Sequence, residues 1–411
     1  MPSYLLNSYY KYKMFNSITI RRQNSFDQSN PIDIGYLLEC LIYYRHVYVV
    51  SDHVILNQLI NVFNESNLLS LLQEDVLNII YLEGRYGISY TTDKSGIQSF
   101  SPCHYSGIDH TLSKHLRNII SSRNIPSGKG RRMADKIERF VDPFLHEQNF
   151  RTSLQSILAN KELTNQIAIN YIRAAVPEFN LSDDATFFCE NVDERLIVST
   201  DIDFSHINTI YHKRVPPSHS TIDPGLILAY LCDSEEHLFF SARHQSELAI
   251  DPVGSSLVKL RLEQLSNKLD LSEHAKIRFS EIIFDEAKSL RETFNSGNIP
   301  IDDIVKVALK STKFKDWLSK QNDDIDILKE YYNSISSNNI LERLPIKSLR
   351  WAFFQGLGLS IDSIVNNNIG TIVGTAINIA DAFLLDKLTQ GWKPNQFVDN
   401  ELTPLFKKNQ F

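Results

Sequence analysis

Glycine and proline are scarce in this 411-residue chain, at 15 and 14 residues. Both fall below ordinary usage, and a long chain with few breakers favours helix-rich structure. Cysteine is scarcer still. Cys40, Cys103, Cys189 and Cys232 lie far apart, with no CxxC pair and no Cys/His spacing of a zinc site. That argues against a disulfide framework and fits a reducing cytoplasm. The formal net charge is −7, so the chain as a whole is no general nucleic-acid binder, and any such contact needs a local basic patch. The opening "MPSYLLNSYYKYK" lacks an apolar core and a small-residue cleavage site, so no secretory signal is expected. GxSxG, HExxH, the kinase motif set and a dinucleotide GxGxxG are all absent, which removes the commonest catalytic signatures.

Long apolar runs are missing too. The least ordinary stretch is "GLGLSIDSIVNNNIGTIVGTAINIADAFLLDKL" (356–388), whose longest apolar run, "IGTIVGTAI" (369–377), contains two threonines. A spanning helix needs roughly 20 nearly unbroken apolar residues. The periodicity fits a helical hairpin instead, with arms at about 351–365 and 369–388 joined at Asn366–Asn368. Gly370 and Gly374 form a GxxxG that lets helices approach closely, and with Phe383 they mark a helix-packing or partner surface.

What is present reads as two domains. In the first half, strand-like runs alternate with helical periodicity. "SITIRR" (17–22), "HVYVVSD" (46–52) and "VLNIIYLEG" (76–84) are strands, with helices at 33–44, 54–63 and 67–75. This order implies crossovers and a partly parallel sheet. "GISYTT" and "GIQSF" suggest a small meander, residues 108–175 are mainly helical, and residues 185–204 suggest a hairpin turning at "NVDE". The Pro- and Ser-rich "KRVPPSHSTIDPG" (213–225) is the expected boundary. Beyond it "SEHAKIRFSEIIFDEAKSLRETFNSG" (272–297) and 300–321 have helical period, with Gly297 as a helix-ending residue. The expected fold class is therefore α+β. A mixed α/β domain (1–225) with a partly parallel sheet precedes an all-helical domain (226–411) that ends in the hairpin 351–388.

Four constellations could carry chemistry. If 196–204 is one strand, Asp201 and Asp203 share a face, since side chains alternate. With Glu190 across the hairpin they could hold a divalent metal and a hydrolytic water. The plainer alternative is a strand end with Asp203 or Ser205 capping the next helix. In "SGKGRRMADKIERF" (127–140), a loop with Gly128, Lys129 and Gly130 leads into a helix whose first turn carries Arg131 and Arg132, a candidate phosphate-binding site and not a Walker A loop. Cys103, His104, Asp109, His110 and His115 are potential ligands whose spacing matches no zinc pattern. The lysine-bearing helix at 300–321 reads as a solvated face.

The leading functional expectation is a cytoplasmic interaction or regulatory subunit of a larger assembly, with a protein partner. The alternative is a metal-dependent phosphodiesterase or nuclease built on Glu190, Asp201 and Asp203, contacting nucleic acid through the basic loop. A second alternative is a toxin-like effector with a membrane-active C-terminal hairpin. The Asn-, Ile-, Phe- and Tyr-rich composition is that of AT-rich coding in mobile bacterial elements and raises antiviral defence as a host process.

Overall fold

The computed structural model describes residues 16–22, 31–94, 98–106, 111–123, 125–145, 148–192, 195–217, 221–244, 246–249, 281–284, 294–295, 297, 299–318 and 348–351. The hairpin expected at 351–388 lies, apart from Trp351, outside these residues. No helix among the described residues is long and apolar enough to cross a membrane.

The alternation of β-branched runs and helical stripes produces a mixed α/β fold around a parallel sheet. Strand β1 (Ser17–Ile20) leads through α1 (Ile34–Tyr43) to β2 (His46–Ser51). Helix α2 (His53–Gln73) then leads to β3 (Leu77–Leu82). A hairpin of β4 (Gly84–Thr92) and β5 (Gln98–Ser106) interrupts the winding. Helices α3 (Leu112–Ser121) and α4 (Ser127–Glu138) return the chain to β6 (Val141–Phe144). Proline in a strand is tolerated where no partner needs its missing N–H, and Pro143 sits in β6 at one end of the strand order.

Asp33 and Asp52 fix where α1 and α2 begin, their side chains accepting from Tyr36 N–H and from Val54 and Ile55 N–H respectively. The two helices expected at 54–63 and 67–75 are one element broken at Asn64. This residue takes the left-handed φ of 53°, and its side chain accepts from Ser66 and Asn67 N–H to restart the helix.

Two further hairpin strands, β7 (Phe187–Val192) and β8 (Arg195–Thr200), join β4 and β5 in a second, antiparallel sheet of order β4-β5-β8-β7. It packs with α5 (Gln148–Leu158), α6 (Lys161–Ala175), α7 (Phe204–Tyr211) and α8 (Pro224–Arg243) around a separate core that includes Phe100, Phe187, Ile167 and Leu228.

Helix α8 does not open a separate helical domain at residue 226. It packs against β1 and β4 and delivers β9 (Glu247–Ala249), which pairs parallel with β1. Strands β10 (Glu281–Phe284) and β11 (Ser348–Trp351) extend the same sheet antiparallel, giving the order β10-β11-β9-β1-β2-β3-β6. The segment expected to be all helix therefore supplies three strands. Each is three or four residues long, too short for period two to show against a helical stripe. The helical stretch expected at 300–321 is two helices, α9 (Ile301–Lys310) and α10 (Thr312–Leu318). Ile304, Val305 and Ala308 join the core above β1 to β3, and Lys315, expected on a solvated face, is buried and donates to the Ala308 carbonyl. Gly297 takes φ +70°, the left-handed conformation suited to glycine.

Side-chain alternation on β1 assigns its two faces. Ile18 and Ile20, fully buried, meet the core beneath α1, α2, α3 and α4. Ser17, Thr19 and Arg21, also buried, point the other way, toward α8. There the Thr19 and Ser246 hydroxyls bond each other, and the Ser241 hydroxyl donates to the Ser246 carbonyl. Arg21 meets Glu236 and donates to the Asp233 carbonyl at 3.0 Å. This is a buried polar seam, tolerable because Thr19, Ser246, Ser241, Arg21 and Glu236 are hydrogen-bonded within it.

Removing one partner of a buried ion pair costs roughly 3–5 kcal/mol because the other charge is left uncompensated. Glu236→Gln is therefore expected to lower unfolding free energy by about that amount in urea titration, far more than the same change at exposed Glu190.

Candidate functional site at the carboxyl edge of the parallel sheet

In an open parallel sheet, ligands bind beyond the carboxyl ends of the strands, where successive connections leave to opposite faces. Here that place is β1. Strands β2, β3 and β6 are laid down on one side of it and β9 on the other. The residues that follow β1, β2 and β3 are Arg21–Arg22, Asp52–His53 and Glu83.

The two arginines diverge. Arg21 is committed to α8, whereas Arg22 Nη2 lies 2.7 Å from Asp52 Oδ2 across the tips of β1 and β2. Asp52 Oδ1 accepts from the N–H groups of Val54 and Ile55, both at 2.9 Å. Burial would raise this carboxyl, but the Ile55 N–H and the Arg22 guanidinium outweigh it and hold Asp52 below the ordinary value.

His53, exposed in the first turn of α2, faces His115 on α3, with ring centroids 5.2 Å apart. The Tyr81 hydroxyl, from β3, is hydrogen-bonded to His115 Nδ1. Burial first, then the charges of Asp52 and Glu83, push the Tyr81 phenol up, so it keeps its proton. Three consecutive parallel strands and the first turns of α2 and α3 thus gather Arg22, Asp52, His53, Tyr81, Glu83 and His115. Imidazole, phenol, carboxylate and guanidinium side by side can donate, accept and orient protons.

The sequence-nominated carboxylates lie elsewhere. Strand β8 ends at Thr200, so Asp201 and Asp203 do not share a strand face. Asp203 caps α7 by accepting from His206 N–H at 3.0 Å, and Asp201 accepts from Thr186 N–H at 2.7 Å. Glu190 pairs with Lys161 at 2.6 Å. By register Glu190 opposes Ile197 while Asp201 adjoins Thr186. Four residues of strand, about 13 Å, therefore separate Glu190 from Asp201. Among the described residues no group of three or more His, Cys, Asp or Glu side chains is placed to hold a metal ion.

The basic loop is not a loop. Ser127 to Arg132 form the opening turns of α4, Gly130 is buried against Ile120, and Gly128 is exposed. Helix α4 packs on α2 and α3, whereas the β7–β8 hairpin packs on α6. Of the Cys103–His115 group, His104 packs at a tilt against the Tyr86 ring while His115 belongs to the sheet edge, and Asp109 and His110 lie outside the described residues.

Sequence reasoning missed Arg22, Asp52, His53, Tyr81 and Glu83 as a group. The available signal was topological: once 17–22, 46–52 and 76–84 are parallel strands, the residues at their carboxyl ends become neighbours. Comparison with protein-family models, with curated proteins and with solved structures finds no match for this chain. The site is therefore judged on its own geometry.

Because the Asp52 value is depressed in the folded state, its contribution to stability is present above the unfolded carboxylate value of about 3.9 and is lost as pH falls through the lower folded value. Asn at this position keeps the cap but not the charge. Asp52→Asn should cost about 1–3 kcal/mol at neutral pH. The difference from wild type should shrink in unfolding titrations as pH falls below about 4.

Proposed function

We propose that this protein is an enzyme that performs general acid–base chemistry at the carboxyl edge of its parallel sheet. The observation that carries the reading is the His53–His115–Tyr81 array beside the Arg22–Asp52 pair. His53 and His115 are the proton-transfer groups, and a positioned imidazole contributes about 10²–10⁴-fold to such a reaction. Tyr81 and Asp52 are positioning residues. Tyr81 holds the His115 ring, and Asp52 holds both Arg22 and the helix turn that carries His53. Around the imidazoles Arg22 stands against Asp52 and Glu83, a local balance that favours a small neutral or cationic polar substrate over a polyphosphate. The four cysteines, all unbonded, are in keeping with the cytoplasmic placement proposed here.

The test is a chemical-shift titration of the histidine ring signals in the isotope-labelled full chain against a panel of small polar compounds. His53 and His115 should move together with at least one compound class, and His115→Gln should abolish that response. Perturbations confined to His206 or His212, or none at all, would sink the proposal.

One observation favours a second reading, the interaction or regulatory subunit. Exposed Tyr90 and Val192 lie near one end of the outer strands β4 and β7, on opposite faces and opposite edges of the antiparallel sheet. Each offers a separate apolar contact to a protein partner. On that reading Tyr90→Ser with Val192→Ser abolishes recovery of a partner from the native host while leaving the histidine titration intact. Unchanged recovery would count against it.

A further inference from the structure

Helix α4 buries Gly130, Ala134 and Ile137 against its neighbours and turns Lys129, Arg132, Lys136 and Arg139 to solvent. At about 100° per residue these four cations fall within a stripe roughly 80° wide and about 15 Å long. Arg131, also exposed, flanks it. Several arginines elsewhere meet carboxylates: Arg22 with Asp52, Arg123 with Glu65, Arg173 with Asp183 and Arg214 with Glu178. Among the described residues Arg131, Arg132, Lys136 and Arg139 form no such pair. Two of the acids beside them are engaged elsewhere. Asp135 lies 3.6 Å from Arg117, and Glu65, within electrostatic reach of Lys129, bonds Arg123 at 2.6 Å.

On a chain of net charge −7, a row of unneutralised cations on one rigid helix is a local exception. The stripe ends at Phe140, 41% exposed and next to Arg139. Guanidinium groups suit phosphate geometry, and an exposed ring beside them offers a stacking platform for an unpaired base. The apolar face of α4 is already spent on the core, so the helix has none left to insert into a bilayer.

We propose that the outer face of α4 is a docking surface for single-stranded nucleic acid, with Lys129, Arg132, Lys136 and Arg139 on successive phosphates and Phe140 under a base. It is independent of the acid–base site.

The experiment is fluorescence anisotropy of the full chain with a labelled oligothymidylate of about twenty nucleotides across a salt series. Four neutralised phosphates on a single strand predict a slope of log affinity against log salt of about −2.8. Arg132→Gln with Lys136→Gln should reduce that slope by about 1.4 and weaken binding at least roughly tenfold near physiological salt. Arg132→Lys with Lys136→Arg should retain the slope, which separates charge from folding. Phe140→Ser should weaken binding with the slope unchanged, and Arg173→Gln should leave it as in wild type. No salt-dependent binding, or glutamine variants that bind like wild type, would overturn the proposal. So would binding to anionic vesicles without binding to the oligonucleotide, or a duplex preferred over the single strand.

Discussion

One carboxylate, Asp52, ties together the parts on which the carboxyl edge depends. Its two oxygens divide their duties. One takes the Arg22 guanidinium from the neighbouring strand, the other takes two N–H groups at the start of α2. A half-buried carboxylate gains little by itself, because burial opposes its charge. It is stable here because a cation and a helix start are both supplied by the parallel topology. The same contact sets the end of β1, the direction in which α2 leaves β2, and hence where His53 sits opposite His115. Hydrogen bonds to a charged group are about twice as strong as neutral ones, which suits this contact to organising a short βα connection.

Opposite that edge contact lies the polar seam between β1 and α8. A strand in the middle of a parallel sheet is ordinarily apolar on both faces, and β1 is apolar on only one. The seam gives α8 a defined register, through Arg21 to Glu236 and Asp233 and through the serines near residue 246. Adjacent residues 21 and 22 thus serve different faces. One arginine is committed to α8, the other to Asp52 at the strand tips.

Much of this was legible from period and caps. Asp33 before an apolar helical stripe, the β-branched run 46–51, and the strand-like runs flanking the hairpin expected at 185–204 each announced their element. Short or broken patterns were not legible. Pro143 hid an edge strand, and "ELA" and "EIIF" carry too few residues to separate strand from helix. The candidate site was missed for a different reason. Its members stand at 22, 52, 53, 81, 83 and 115, joined by strand order and not by spacing. The Asp201–Asp203 pair, in contrast, was conspicuous in sequence yet serves a strand end, through Thr186, and a helix cap. Spacing arguments identify chemistry only when the residues remain on one regular element.

The most direct test of the account is a double-mutant cycle in unfolding free energy on Arg22 and Asp52, using Arg22→Gln, Asp52→Asn and the pair together. The account predicts a coupling of about 1–2 kcal/mol, since the pair is partly buried and shared with a helix start. A coupling indistinguishable from zero would mean that the two residues are independent surface charges, and that the carboxyl edge is not organised as described.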